Sequence, residues 1–310
     1  MPQKMIFATR PSALARWQTA HIIQQLQLRW PLLECEELVI KTEGDRVLDV
    51  SLPDIGGKGL FTSELEGALL GNRVHAAVHS LKDLPTEDSP GLTLAAIPVR
   101  ADPRDVFVCP AGQNLEELPA GSVVGTSSNR RRAQLLAYRP DLHIEPMRGN
   151  IDTRIRKVLA AQCDAIVLAA AGVTRLGLEE YITHYLPVEI MLPAPGQGAL
   201  AVQCRQDETE TLGRLRILDH AETRLAVRAE RAFLSALGGG CSLPVGALAT
   251  VQDGEITIQG VIASLDGRQV LRLNSSGRDP LRLGQALAMD ALQQGAQDFL
   301  FAGAAEEDPN

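Results

Sequence analysis

Short apolar runs alternate with helical stretches twice over in the first two thirds of the chain, and this repeated alternation restricts the fold more than any other feature. In the first set, "MIFA" (5–8) reads as a strand, a turn follows at Thr9–Ser12, and an amphipathic helix runs to about Leu28. "CEELVI" (35–40) is a second strand, "FTSELEGALL" (61–70) a helix with Thr62 or Ser63 as its N-cap, and "VHAAVHS" a third strand. In the second set, "SVVGTSS" (122–128) is a strand and turn, "NRRRAQLLAY" a helix, "HIEPM" a strand, "DTRIRKVLAA" a helix and "AIVLAAAG" (165–172) a strand. Parallel strands need crossover helices, so each set predicts a doubly wound, mainly parallel sheet.

Two proline-punctuated segments, "PVRADPRDVFVCP" (98–110) and "LPAPGQGALAVQCR" (192–205), read as extended crossings between two α/β lobes with a cleft between them. The last third changes character. A helix over 222–237 precedes strands at 243–251, 255–263 and 269–275, with Asp-Gly turns in "QDGE" and "LDGR", and a closing helix at 281–301. This predicts a small α+β domain with a three-stranded antiparallel sheet. The expected division is 1–98 with 198–219, then 99–197, then 220–310, with the acidic tail "AAEEDPN" disordered. The segment 42–60 reads as a long mobile loop rather than a phosphate loop, because "GGKGLF" lacks the Ser/Thr after Lys58 and the spacing of GxGxxG.

With aromatics at only 4%, the core should rest on Leu, Ile, Val and Ala. A net charge of −8 argues against a general polyanion binder or membrane-surface protein, and gives local basic clusters more meaning. Neither a signal peptide nor a membrane-spanning run is read in the sequence. The five cysteines lie far apart without CxxC spacing and read as reduced thiols of a cytosolic protein. No metal site is expected: His75 and His79 are spaced i, i+4, but "VHAAVHS" reads as a buried strand.

Ligands of open α/β sheets collect at the carboxyl ends of strands. Those ends carry Arg10 and Ser12 in "TRPS", and Lys82 and Asp83 in "HSLKDLP". In the second lobe they carry "GTSSNRRR" (125–132), "MRGN" (147–150) with Arg154 a turn later, and Arg175. Arginines converging on one cleft call for a ligand with several carboxylates or phosphates. Each taken singly also reads as surface charge, with Arg132 the plainest case, and Ser127 or Ser128 as a helix cap. Asp83 reads either as half of a Lys–Asp surface pair or as a carboxylate that stabilises positive charge or passes protons. Cys241, behind three glycines in "GGGCSLPVG", is either a small apolar filler or a thiol on a loop stripped bare to carry something bulky.

Together "ATRPSALARWQ", "GGKGLFTSELE", "AVHSLKDLPT", "DPRDVFV", "GTSSNRRRAQL", "RGNIDTR", "LAAAGVTRLGL", "LPAPGQGALAVQCR" and "GGGCSLPVGA" make the chain resemble the porphobilinogen deaminase (hydroxymethylbilane synthase) family over nearly its full length. The resemblance implies a transferase that joins four porphobilinogen molecules head to tail, releasing four ammonia molecules and yielding hydroxymethylbilane for tetrapyrrole and haem biosynthesis. It implies a dipyrromethane cofactor in thioether linkage to Cys241, with Asp83 as the catalytic carboxylate. Cofactor contacts are then expected from Lys82, Asp83, Thr126, Ser127, Ser128, Arg130, Arg131, Arg148 and Gly149, and substrate contacts from Arg10, Ser12, Arg154, Arg175 and Gln197. The expected protein is a cytoplasmic monomer with porphobilinogen as its partner and neither nucleic acid nor membrane.

Two hinged lobes are also the plan of type II periplasmic binding proteins, so a non-catalytic module that binds an anionic solute is the rival reading. A nucleic-acid binder using "NRRR" fits poorly with the acidic whole and three tyrosines.

Overall fold

The computed structural model describes residues 4–46, 59–240 and 243–300. Most of the segment read as a mobile loop, the acidic tail, and Cys241 with Ser242 lie outside the described residues.

Three sheets organise the chain. The first has the order β2-β1-β3-β10-β4, formed by β1 (Lys4–Thr9), β2 (Glu34–Val39), β3 (Ala76–Ser80), β4 (Leu92–Ala96) and β10 (Leu200–Arg205). The second repeats that plan as β7-β6-β8-β5-β9, from β5 (Asp105–Val108), β6 (Val123–Gly125), β7 (His143–Glu145), β8 (Ala165–Ala169) and β9 (His184–Tyr185). In each, the strands joined by helices pair in parallel, β1 with β2 and β3, β6 with β7 and β8.

The crossings are more than connectors. Residues 98–110 contribute β5 to the second sheet and residues 192–205 contribute β10 to the first, each antiparallel to its neighbours. The sheets are therefore mixed where the sequence predicted mainly parallel ones. Strands β4 and β9 went unread, being short and without a following helix of clear period. Each sheet is thus completed by a strand from a crossing segment, so the two crossings tie the lobes together.

Helices fall close to their predicted spans, and several of them carry an explicit side-chain cap. Ser12 Oγ accepts the Ala15 N–H at 3.2 Å and starts α1 (Ala13–Arg29). The short helix α2 (Glu43–Arg46) precedes the undescribed segment, and α3 (Ser63–Leu70) follows it, starting at Thr62 without a side-chain cap bond. In the second lobe stand α4 (Asn129–Tyr138), α5 (Ile151–Leu159) and α6 (Ala170–Arg175). The run read as one strand over 165–172 thus ends at Ala169, where α6 begins.

In the last third, α7 (Thr209–Leu215) leads to α8 (Ala221–Ala236), which packs with α9 (Pro280–Gln293) on the sheet β11 (Val245–Gln252), β12 (Glu255–Ala263) and β13 (Val270–Gly277), all antiparallel. The closing helix stops at Gln293 instead of running on, and Gly295 at φ +87° turns the chain into α10 (Gln297–Leu300). Cores are aliphatic around single rings: Phe7 with Ile22 and Val202, Phe107 with Leu135 and Val167, Phe233 with Ile258 and Leu287.

Both strand histidines are satisfied locally. His75 Nδ1 accepts the Ile6 N–H at 3.0 Å, and buried His79 meets Gln203 Oε1 at 3.1 Å. Burial pushes His79 down to about 4, so it stays neutral. Cys35, Cys109, Cys163 and Cys204 are free thiols, and among the described residues no helix is long and apolar enough to cross a membrane.

Candidate functional site

A cavity of about 380 Å3 lies where the carboxyl ends of both parallel strand sets meet. On the first-lobe wall, β1 delivers Arg10 and the cap residue Ser12. Strand β3 ends at Ser80, whose hydroxyl accepts from Gln18 Nε2 at 2.9 Å, and a single 3-10 turn (Leu81–Asp83) then presents Lys82 and the exposed Asp83 to the cavity. Lys82 Nζ donates to Gln197 Oε1 at 3.3 Å. Burial pushes Lys82 down to about 8, against the pull of the Asp83 charge.

Asp105 organises the second wall. It opens β5 fully buried, and both helix arginines turn inward to it. Arg130 Nη1 donates to its Oδ2 at 2.7 Å and also to the Leu192 carbonyl at 2.7 Å. Arg131 Nη2 donates to Oδ1 at 2.7 Å, while its Nη1 donates to the Val167 carbonyl at 3.0 Å. Gln197 Nε2 adds a further donor to Oδ1 at 2.9 Å. Burial alone would raise the Asp105 carboxyl, but the two guanidinium groups outweigh it and hold it far below the usual range. Two cations share one carboxylate, so the cluster keeps a net positive charge facing the cleft. Arg132, on the opposite face of α4, is exposed, as expected.

Beside it, Arg154 Nε donates to the Gly149 carbonyl at 2.8 Å, and Arg175 Nη2 donates to the Gly198 carbonyl at 2.7 Å with Trp17 beneath it. Burial lowers both to about 10, Arg154 with help from the charges of Arg131 and Arg148, and both stay cationic at neutral pH. Gly149 has φ +116°, and a Cβ there would come within 2.9 Å of the Thr153 methyl.

Of the expected contacts, Ser127 and Ser128 line the cavity while Thr126 and Arg148 do not. The Thr126 hydroxyl accepts the Ser128 N–H at 3.2 Å and shapes the turn, and Ser128 Oγ caps α4 by accepting the Arg131 N–H at 3.4 Å. Arg148 is half-buried. Its Nη1, with Ser127 Oγ and Arg130 Nε, is buried without a hydrogen-bond partner. Buried donors without acceptors are costly, and three around one cleft fit a ligand that brings acceptors. Gln197, fully buried, bridges Lys82 to Asp105 and to the Pro103 carbonyl, which makes it a brace between the walls.

The third unit closes the cavity with Leu234, Gly240, Leu243 and Val245. Its position is set by Glu230, buried on α8, which takes both nitrogens of Arg100 at 2.5 and 3.1 Å and the N–H groups of Gly196 and Ala249. Gly238, Gly239 and Gly240 have φ of +104°, +61° and +127°, a run of left-handed backbone that other residues would resist. Asp45, Phe61, Arg100, Asp105 and Glu230 were missed in the sequence reading. Asp105 left a signal, an acid opening the all-apolar run "DVFV".

Lys82 gives the cleft a pH dependence. Between pH 7 and pH 9 it loses its proton, so affinity for a dicarboxylate probe such as succinate should fall about threefold to tenfold. Titration calorimetry should find that fall flattened in Lys82→Met; a wild-type affinity constant across this range would count against the assignment.

Cationic groups on two α/β lobes, facing a half-open cavity with orphaned donors, form a site whose chemistry suits a ligand with several carboxylates. Comparison with known proteins is specific. The family model "Porphobilinogen deaminase, dipyromethane cofactor binding domain" matches residues 5–213, and "Porphobilinogen deaminase, C-terminal domain" matches residues 224–293. Porphobilinogen deaminase of Brevibacillus brevis is 53% identical over 293 residues, covering 94% of this chain and 95% of that protein. That of Desulforudis audaxviator is 50% identical over 302 residues, covering 97% and 98%. A looser likeness is to the solved methionine binding protein MetQ, with TM-score 0.43 and 13% identity over 70% of this chain and 90% of that one. The chain belongs to the porphobilinogen deaminase family, transferases of tetrapyrrole biosynthesis with a dipyrromethane cofactor.

Proposed function

We propose that this protein joins four porphobilinogen molecules head to tail into hydroxymethylbilane, releasing one ammonia for each, on a dipyrromethane primer linked through Cys241. The observation that carries this reading is the convergence of under-satisfied guanidinium and hydroxyl groups on a cavity whose wall includes Gly240 and Leu243, the described residues flanking the Cys241 position. Each pyrrole unit brings two carboxylates, and the donor set fits them. Arg154, Arg175 and Arg148 would pair acetate and propionate groups, Ser127 would supply a hydroxyl, and the Arg130–Arg131–Asp105 cluster would keep the wall positive as charge accumulates.

When bound, dipyrromethane supplies the pyrrole carbon to which the first porphobilinogen is joined. Asp83 faces the cavity beside Lys82 and would be the carboxylate at the reacting centre, whereas Asp152, which also lines the cavity, pairs with Arg156. Loss of ammonia from porphobilinogen leaves an electron-poor methylene-pyrrolenine cation, and a fixed negative charge lowers that barrier. Lys82 balances Asp83 in the resting cleft and also binds Gln197, so the acid is held on a braced turn. Gly238 to Gly240 would give the tethered unit room, since a Cβ at Gly238 would meet nothing within 4 Å.

The division at 1–98 with 198–219, 99–197 and 220–310 belongs to the same proposal, with one sheet in each unit, as does a cytoplasmic monomer that acts on a small molecule. Incubating the protein with porphobilinogen tests the reading. One ammonia per porphobilinogen consumed, with a linear tetrapyrrole formed, is expected. Tight binding without ammonia release would instead favour a two-lobed binding module.

A further inference from the structure

Arg10 reaches the cleft from the end of β1, yet its guanidinium already grips a carboxylate. Its Nη2 donates to Asp45 Oδ1 at 2.5 Å and its Nε to Oδ2 at 3.2 Å, the two-pronged geometry with which arginine holds a carboxylate ligand. The Phe61 ring covers the pair, 4.1 Å from the guanidinium carbon. This arrangement is built rather than incidental. Thr42 donates its N–H and its hydroxyl to Asp45 Oδ2 at 3.1 and 2.8 Å. Gly44 makes room for the ring, since a Cβ there would lie 2.1 Å from a Phe61 carbon, and its N–H is pinned to the Leu60 carbonyl at 2.9 Å.

Other cleft cations differ. Arg154 and Arg175 donate to backbone carbonyls, and Asp105 is sealed at 0% exposure between donors on every side. Asp45, with its side chain 11% exposed, sits on one turn of helix bound through Thr42, Leu60 and Glu64, where a modest shift would release it.

We propose that Asp45 is a built-in stand-in for a ligand carboxylate at Arg10, displaced when an acetate or propionate group of porphobilinogen or of the growing chain arrives. A tethered carboxylate acts at an effective concentration of roughly millimolar or more, so a lone soluble carboxylate competes poorly with it. A ligand that engages several arginines together can displace it. Asp45 thereby sets specificity for multiply charged pyrroles while keeping Arg10 neutralised in the resting cleft.

The inference rests on the deaminase reading, and its test separates the two. Asp45→Asn preserves shape and removes the competing charge. Its KM for porphobilinogen should fall about threefold to tenfold with a much smaller change in kcat, and inhibition by succinate should strengthen by a similar factor. Adding Arg10→Leu should abolish both gains. A KM that rises or stays the same in Asp45→Asn, with wild-type turnover intact, would overturn the stand-in role and leave Asp45 a positioning residue for Arg10. Absence of wild-type turnover would instead overturn the deaminase reading.

Discussion

Asp83→Asn should keep its bound primer and lose about 100-fold to 1000-fold in turnover. The substitution changes one charge and almost no volume. Asp83 ends a braced turn, and no described hydrogen bond of the fold runs through its carboxylate, so stability should be nearly unaltered. On the proposed mechanism, what disappears is the negative charge that stabilises the carbon becoming cationic as ammonia leaves. In the proposed reading porphobilinogen is bound by the arginines instead, so KM should move far less than kcat, the signature of an interaction that matters in the transition state. Steady-state kinetics with porphobilinogen, alongside intact mass to confirm that the primer is present, makes the measurement. Turnover within a few-fold of wild type would remove Asp83 from this role.

Asp105→Asn should be the most damaging single substitution for the fold of the cleft. It leaves Arg130 and Arg131 buried at 4% and 6% exposure without a counter-charge, a change that costs about 3–5 kcal/mol when one partner of a buried pair is removed. Denaturant unfolding monitored by circular dichroism would read it. The pH dependence follows from the same cluster. Because Asp105 is held below its ordinary 3.8, its stabilisation is complete above that value and is lost as pH falls toward the depressed one. The stability gap between wild type and Asp105→Asn should therefore be constant near neutrality and narrow below about pH 4. A gap under about 1 kcal/mol at neutral pH would mean that the arginines find other partners.

The fold was legible where local chemistry speaks for itself. Ser12 and Ser128 announce α1 and α4 because an N-cap is a local bond, and Asp-Gly announces the turns of the third sheet. Strands β5 and β10 were harder to read: their partners lie far away in sequence, and proline-rich flanks made them look like connectors. The same limit governed the site. Arg10 and Lys82 follow strand ends, and Arg154 and Arg175 lie on the helices after β7 and β8, so those residues could be found by reading positions. Which arginine is already engaged could not be read, because Asp45 lies 35 residues from Arg10 and Asp105 lies 25 from Arg130. Long-range pairing of charges is decided by packing and leaves no periodic trace. For the same reason it could not be read that Thr126 shapes a turn outside the cavity lining, or that Ser128 lines the cavity and caps α4 at once.

The proposed activity depends on a pyrrole primer joined through the Cys241 thiol. Intact-protein mass spectrometry after gentle purification tests it most directly. The wild-type chain should weigh more than its polypeptide by two linked pyrrole units, and Cys241→Ser should weigh the bare polypeptide alone. A wild-type protein without the added mass that still turns over porphobilinogen, or a Cys241→Ser protein that keeps the mass, would contradict it.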